Sequence, residues 1–252
     1  MFFTRGSLGS VEFAFTDREG GLSDGNFESL NLGSSKAPGL PTDLVDDPAV
    51  VERNRALLAE GFEVSGLVAM TQVHGADVAY VDADTTEPPV ADAMITDQLD
   101  LALLIRAADC TPVVLADPQA RIIGVVHAGR EGLVKGVAPA AVRAMRERGA
   151  TRIQAWIGPR ACGLCYEVPE AMADDIAAVV PEARSTTSWG TPALDIGRGV
   201  IAQLRAEGVE VSDIGEGACT IEDEQFFSYR RQGKASGRQG GIVVLRPAGD
   251  PV

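Results

Sequence analysis

The chain has 252 residues, 45% hydrophobic and 23% charged, with a mean hydropathy of +0.06. Those proportions exclude a largely disordered chain and allow a sizeable core. A net charge of −14 disfavours nucleic acid and anionic membrane as partners. No apolar run reaches the roughly 20 residues that span a bilayer, and MFFTRGSLGSVEFAF has no signal-like basic and apolar regions, so a cytoplasmic protein is expected.

The elements follow in chain order. Residues 1–34 read as strand, turn, strand, with VEFAF alternating, REGGLSDGN turn-rich and SLNLG a short apolar segment. Residues 34–47 read as a loop rich in Pro, Ser and Asp. Asp47 then caps a helix over PAVVERNRALLAEG, with Pro48 at its first position and Gly61 at its end. GLVAMTQVHG, ADVAYVD, LALLIRAADC, TPVVLAD and RIIGVVHAG read as strands, several buried on both faces. GREGLVKGVAPAAVRAMRERG reads as one helix closed by Gly149, and TRIQAWIGP as a strand. VPEAMADDIAAVVPEA and PALDIGRGVIAQLRAEG read as further helices. FFSYRRQGKASGRQGGIVVLR reads as an arginine-rich turn and a terminal strand. Without regular βαβα alternation the class is α+β, and without a linker-like stretch residues 1–252 are expected to form one domain.

Four cysteines are too few for a disulfide scaffold, and there are only two histidines. His74, Cys110 and His127 each lie near the end of an apolar strand-like run, where side chains leave a core and face a cleft. Imidazole and thiolate suit zinc, and three protein ligands leave a fourth position for reactant. The spacing alone admits a second reading: hydrogen-bonded core histidines and a small buried thiol.

QVHGADV, DAMITDQLDLALLIRAADCTPVVLADP, VVHAG, IGPRACGLCYEV and FFSYRRQGKASGRQGGIVVL together resemble the YfiH-type, laccase-domain or "polyphenol oxidase" family. That group includes zinc purine nucleoside phosphorylases and peptidoglycan editing factors. The resemblance runs in order from SLNLG to the C-terminus. It implies a layered α+β sandwich of mixed sheet and flanking helices, with His74, Cys110 and His127 as metal ligands. It also implies purine nucleoside and phosphate as substrates, with phosphorolysis and adenosine deamination as reactions. Two features depart from it: Arg130-Glu131-Gly132 stands where the family reads Trp-Arg-Gly, and Cys162 and Cys165 form a C-x-x-C spacing suited to zinc or redox work.

The chemistry sets further expectations. Zinc lowers the pKa of bound water to about 7, which suits displacement of ammonia from C6 of adenosine. The H-x-E signature of nucleobase deaminases is absent, so Asp109 and Asp92 are the candidate proton carriers, with turn formation or capping the other role open to each. Phosphorolysis needs a local positive pocket; Arg55, Arg230, Arg231 and Arg238 are candidate donors, with Ser29 and Asn31 adding hydroxyl and amide groups.

Competing readings are a copper phenol oxidase and a peptidoglycan amidase that removes L-serine from a UDP-muramyl precursor. Two histidines cannot fill type 1, 2 and 3 copper sites, which leaves at most one copper with Met70 or Met94 as axial ligand. A metal-free hydrolase would use Cys110 as nucleophile and His127 as base. The sequence leaves the oligomeric state open.

Overall fold

Side chains of a strand point alternately to opposite faces, so a strand that is apolar throughout needs cover on both. The central strands meet that condition by stacking two sheets between layers of helix. The structure, a computed structural model, describes residues 1–33, 41 and 44–247. Most of the loop read at 34–47 therefore lies outside the described residues.

The elements are β1 (Phe2–Leu8), β2 (Val11–Thr16), α1 (Pro48–Gly61), β3 (Gly66–Ala69), β4 (Val78–Tyr80), β5 (Ala93–Thr96) and β6 (Leu101–Ala107). They continue with β7 (Thr111–Asp117), β8 (Ile122–Ala128), α2 (Arg130–Lys135), α3 (Val137–Glu147), β9 (Gln154–Ile157) and α4 (Glu170–Ala177). The last are β10 (Arg184–Thr186), β11 (Pro192–Leu194), α5 (Ile196–Ala206), β12 (Glu210–Asp213), α6 (Tyr229–Gln232) and β13 (Gln239–Leu245).

A five-stranded sheet runs β1-β2-β13-β6-β3 and a six-stranded sheet runs β12-β9-β7-β8-β5-β4. Both are mixed: β3–β6, β4–β5 and β9–β12 pair in parallel and the other neighbours are antiparallel. Phe13, Phe15, Leu103, Ile105 and Val243 from the first sheet meet Val114, Val125 and Trp156 from the second. The alternate residues of the first sheet, Ala14, Leu104 and Val244, pack with Leu58 of α1. On the second, Val113, Leu115 and Val126 pack with Leu133, Val142 and Val200 of α2, α3 and α5. The result is a four-layer α-β-β-α sandwich, the layered α+β class expected.

Local chemistry explains the boundaries. Asp47 caps α1 as predicted, its carboxylate accepting from Ala49 N at 2.8 Å. The helix read after His127 is two, because Gly136 adopts φ +74 between α2 and α3, a left-handed conformation that side chains rarely adopt. The stretch PALD is not helical: Pro192–Leu194 is a strand, and Asp195 caps α5 by accepting from Arg198 N at 2.8 Å. α4 stops at Ala177, short of the expected run. The terminal strand β13 is central, hydrogen-bonded to β2 and β6. No helix among the described residues is long and apolar enough to cross a membrane.

Candidate active site

Register brings the three predicted ligands together. In the antiparallel β7–β8 pair, Thr111 faces Ala128 and Pro112 faces His127, so Cys110, just before β7, meets the end of β8. His127 shares the inter-sheet parity of Ile123 and Val125, and it is 3% exposed. His74 reaches the same place from the connection between β3 and β4, with φ +58. Its unusual backbone is held on both sides: His74 N donates to Asp92 Oδ1 at 3.0 Å, and Lys135 Nζ donates to His74 O at 3.0 Å.

The donor atoms of His74, Cys110 and His127 all lie within 4.8 Å of one another. His74 Nε2 is 3.8 Å from Cys110 Sγ. Bond lengths to a tetrahedral zinc-like ion require about 3.6 Å between such donors, so the set fits a metal with little movement. Gly129 makes the space. A Cβ there would lie 2.7 Å from His74 Cδ2 and 3.1 Å from Cys110 Sγ.

Asp92 is fully buried behind this cluster. Its Oδ1 lies 2.8 Å from His127 Nδ1, and its Oδ2 accepts from Val73 N at 3.1 Å and Gly75 N at 2.6 Å. Burial pushes the carboxyl up, but His127 and those two amides outweigh it and hold the pKa at about 2. An ionised carboxylate only accepts, so His127 Nδ1 carries the proton and Nε2 presents its lone pair to the cluster. Burial also lowers the His127 pKa, which favours the neutral, ligating imidazole. Asp92 is thus a positioning residue, which corrects the expectation that it carries protons: it does not face the cleft. Burial, then the charge of Asp109, pushes the Cys110 thiol up to about 12, against the pull of Arg238. A thiol so reluctant to ionise makes a poor metal-free nucleophile, whereas a cation would draw off its proton.

Asp109 is half-buried with φ +84. Its Oδ1 accepts from Thr220 Oγ1 at 2.7 Å and its Oδ2 from Arg230 N at 2.7 Å. Of the two predicted proton carriers it is the one that reaches solvent.

The arginines near the cluster include one that the sequence pattern hid. Arg106, in the apolar strand β6, has its Nε buried with no hydrogen-bond partner among the described residues. Burial, then the charges of Arg55 and Arg238, lowers its pKa to about 10. Two further guanidinium groups therefore lie within electrostatic reach of Arg106, and Arg238 also reaches the Cys110 sulfur electrostatically. The available signal was a single charge inside LALLIRA.

The remaining predicted residues divide. Arg55 acts on Arg106 through its charge and donates to Leu32 O at 3.1 and 3.0 Å and to Glu52 at 2.6 Å. Asn31, 2% exposed, accepts from Arg238 N at 2.9 Å, so it positions Arg238. Ser29 is not a ligand donor, in contrast to the expectation. Its hydroxyl donates to Arg18 O at 2.9 Å and accepts from Gly21 N at 3.1 Å within its own turn. Arg230 touches the site through its backbone, while its guanidinium lies 4.6 Å from the Tyr166 ring centroid. There it lines a neighbouring cavity of about 810 Å³ with Trp189 and Glu167. Arg231 donates to the carbonyls of Thr220, Ile221, Asp223 and Phe226 and is structural. Arg130 points at Met172 Sδ, 2.6 Å away. Met70 and Met94 are packed in the inter-sheet core.

Fold and site together define a four-layer sandwich with a His–Cys–His cluster beside the ends of β7 and β8, flanked by half-buried arginines. The chain belongs to the family described as multi-copper polyphenol oxidoreductase laccase, whose profile matches residues 12–246. It is 48% identical over 251 residues to a purine nucleoside phosphorylase of Streptomyces coelicolor, covering 97% of this chain and 100% of that one. The Neisseria meningitidis protein NMB0706 superposes with a TM-score of 0.83 at 29% identity, covering 98% of this chain and 99% of that one. The Bacillus licheniformis protein YfiH superposes with a TM-score of 0.80 at 27% identity, covering 94% and 93%.

Proposed function

We propose that this protein is a zinc-dependent purine nucleoside phosphorylase that also deaminates adenosine at the same site. The observation that carries the reading is one adjacency: a three-donor His–Cys–His set beside three half-buried arginines, with the charges of Arg55 and Arg238 both acting on Arg106. The name carried by the Streptomyces coelicolor relative supports the same reaction.

His74, Cys110 and His127 would hold the ion. When bound, zinc supplies a Lewis acid and an acidified water. Arg106 and Arg238 bind and orient the phosphate dianion, and Arg55 completes its charge balance. The purine leaves C1′ of the ribose with the bonding electron pair as phosphate oxygen forms the new bond. Asp109 is the carboxylate placed to carry a proton between the attacking oxygen and the departing nitrogen. Val73 and Tyr229, 50% and 47% exposed, offer apolar surface for the base beside His74 and Asp109.

Incubation with adenosine or inosine, with and without phosphate, tests the reading. Free base and ribose 1-phosphate should form only with phosphate, and inosine should form from adenosine in both tubes. Absence of all three products, with turnover of UDP-muramyl-L-serine, would replace this reading with amide hydrolysis.

A further inference from the structure

A second group of metal-type donors lies outside the site described above. The donor atoms of Cys162, Cys165, Cys219 and Glu222 all fall within 4.8 Å of one another. Two chain segments supply them, each with donors three residues apart. The first turn is closed by Cys165 N and Tyr166 N donating to Cys162 O at 3.1 and 3.0 Å. The second is closed by Glu222 N donating to Cys219 O at 3.2 Å. Backbone bonds join the turns: Arg160 bridges to Cys219, and Thr220 N donates to Arg160 O at 3.1 Å.

Burial pushes the Cys219 thiol up, and the amides of Cys162, which donates to its sulfur at 3.4 Å, Glu222 and Ile221 offset that only in part, so it is a bound cation that would draw off its proton. Once a cation binds, amides aimed at the sulfur from positions two and three residues later help hold the thiolate, the state in which cysteine ligates. Glu222 is exposed and Cys162 half-buried, so an ion has a way in, while Cys165 and Cys219 close the inner side.

We propose that Cys162, Cys165, Cys219 and Glu222 form a second, structural zinc site. Three sulfurs and one oxygen make a four-donor set, which completes a tetrahedral zinc and separates it from the three-donor His–Cys–His site. Binding forms three Zn–S bonds and one Zn–O bond and releases the protons of whichever thiols were still protonated; nothing is oxidised or reduced. The site fastens two loops that meet at Asp109. Ala161 N, next to Cys162, donates to Asp109 O at 3.0 Å, and Thr220, next to Cys219, donates to its carboxylate.

The test uses the full chain, reduced and stripped of metal, with Cys110→Ala removing the first site. Titration with cobalt(II) in that background should saturate at about one equivalent, with the thiolate-to-cobalt charge-transfer and intense visible bands of a tetrahedral sulfur site. Cys219→Ser should abolish those bands. Glu222→Cys, which keeps a fourth donor and protects against a folding artefact, should strengthen the charge-transfer band and tighten binding. Wild-type protein should carry about two zinc ions per chain. Absence of thiolate charge transfer in the Cys110→Ala background would overturn the proposal. So would a Cys162–Cys165 disulfide in anaerobically purified protein, which would make the pair a redox element.

Discussion

His127 Nδ1 donates to Asp92 Oδ1 at 2.8 Å, and the same carboxylate holds the backbone of His74 at 3.0 Å. One buried side chain therefore positions two of the three donors. Asp92→Asn keeps the shape but sets an amide NH2 or a carbonyl against donors that need an anion. Metal affinity should fall by about 10- to 100-fold, read by competition with a chromophoric chelator. Unchanged affinity would show that His127 is oriented without Asp92.

Gly129→Ala isolates a steric requirement. Gly129 has φ −85, which alanine adopts freely, so the substitution carries no backbone cost. Its Cβ would nonetheless lie 2.7 Å from His74 Cδ2, and the imidazole must move. A displacement of this kind at a reacting centre costs on the order of 10²-fold in rate. Reduced metal content and reduced kcat/KM with an unchanged far-UV circular dichroism spectrum is the expected result. Full activity would mean that His74 does not serve as a ligand.

Arg106 tests the proposed anion site. Arg106→Met removes a half-buried charge that feels those of Arg55 and Arg238, so stability in phosphate-free buffer should hold or rise. Charged hydrogen bonds contribute about 1.5–3 kcal/mol, so the KM for phosphate should rise by at least about tenfold. Phosphate should raise the melting temperature of the wild type and raise that of the variant by less at the same concentration. An equal phosphate-induced shift in both would place the anion elsewhere.

These sites differ in how readable they were. The strand runs and the Asp47-Pro48 helix start were legible because pattern and capping are local. The three donors were legible once QVHG, ADC and VVHAG stood together as a resemblance. Asp92 was legible only as a carboxylate, since its role depends on His127, 35 residues away. Ser29 misled because its hydroxyl closes its own turn. Arg106 was hidden inside an apolar strand, where its meaning comes from Arg55 and Arg238 on other elements. β5 escaped because four residues between aspartates carry little periodicity.

Asp117 supplies a pH dependence away from the site. It is fully buried at the end of β7 and accepts from the amides of Gln119, Ala120, Thr151 and Arg152 at 2.7–3.0 Å. Burial pushes its carboxyl up, but the four amides prevail and hold it below the ordinary value. The folded pKa is therefore lower than the unfolded one. The resulting stability is fully present above the unfolded value, about 3.9, and is lost as pH falls through the folded one. Asp117→Asn turns an NH2 or a single carbonyl toward four donors and should cost about 2–3 kcal/mol at neutral pH. Urea unfolding at a series of pH values should give a constant difference between the proteins down to about pH 4, narrowing only below it. A difference that already closes between pH 5 and 6 would contradict the downward shift, because the carboxylate would then be titrating above its unfolded pKa.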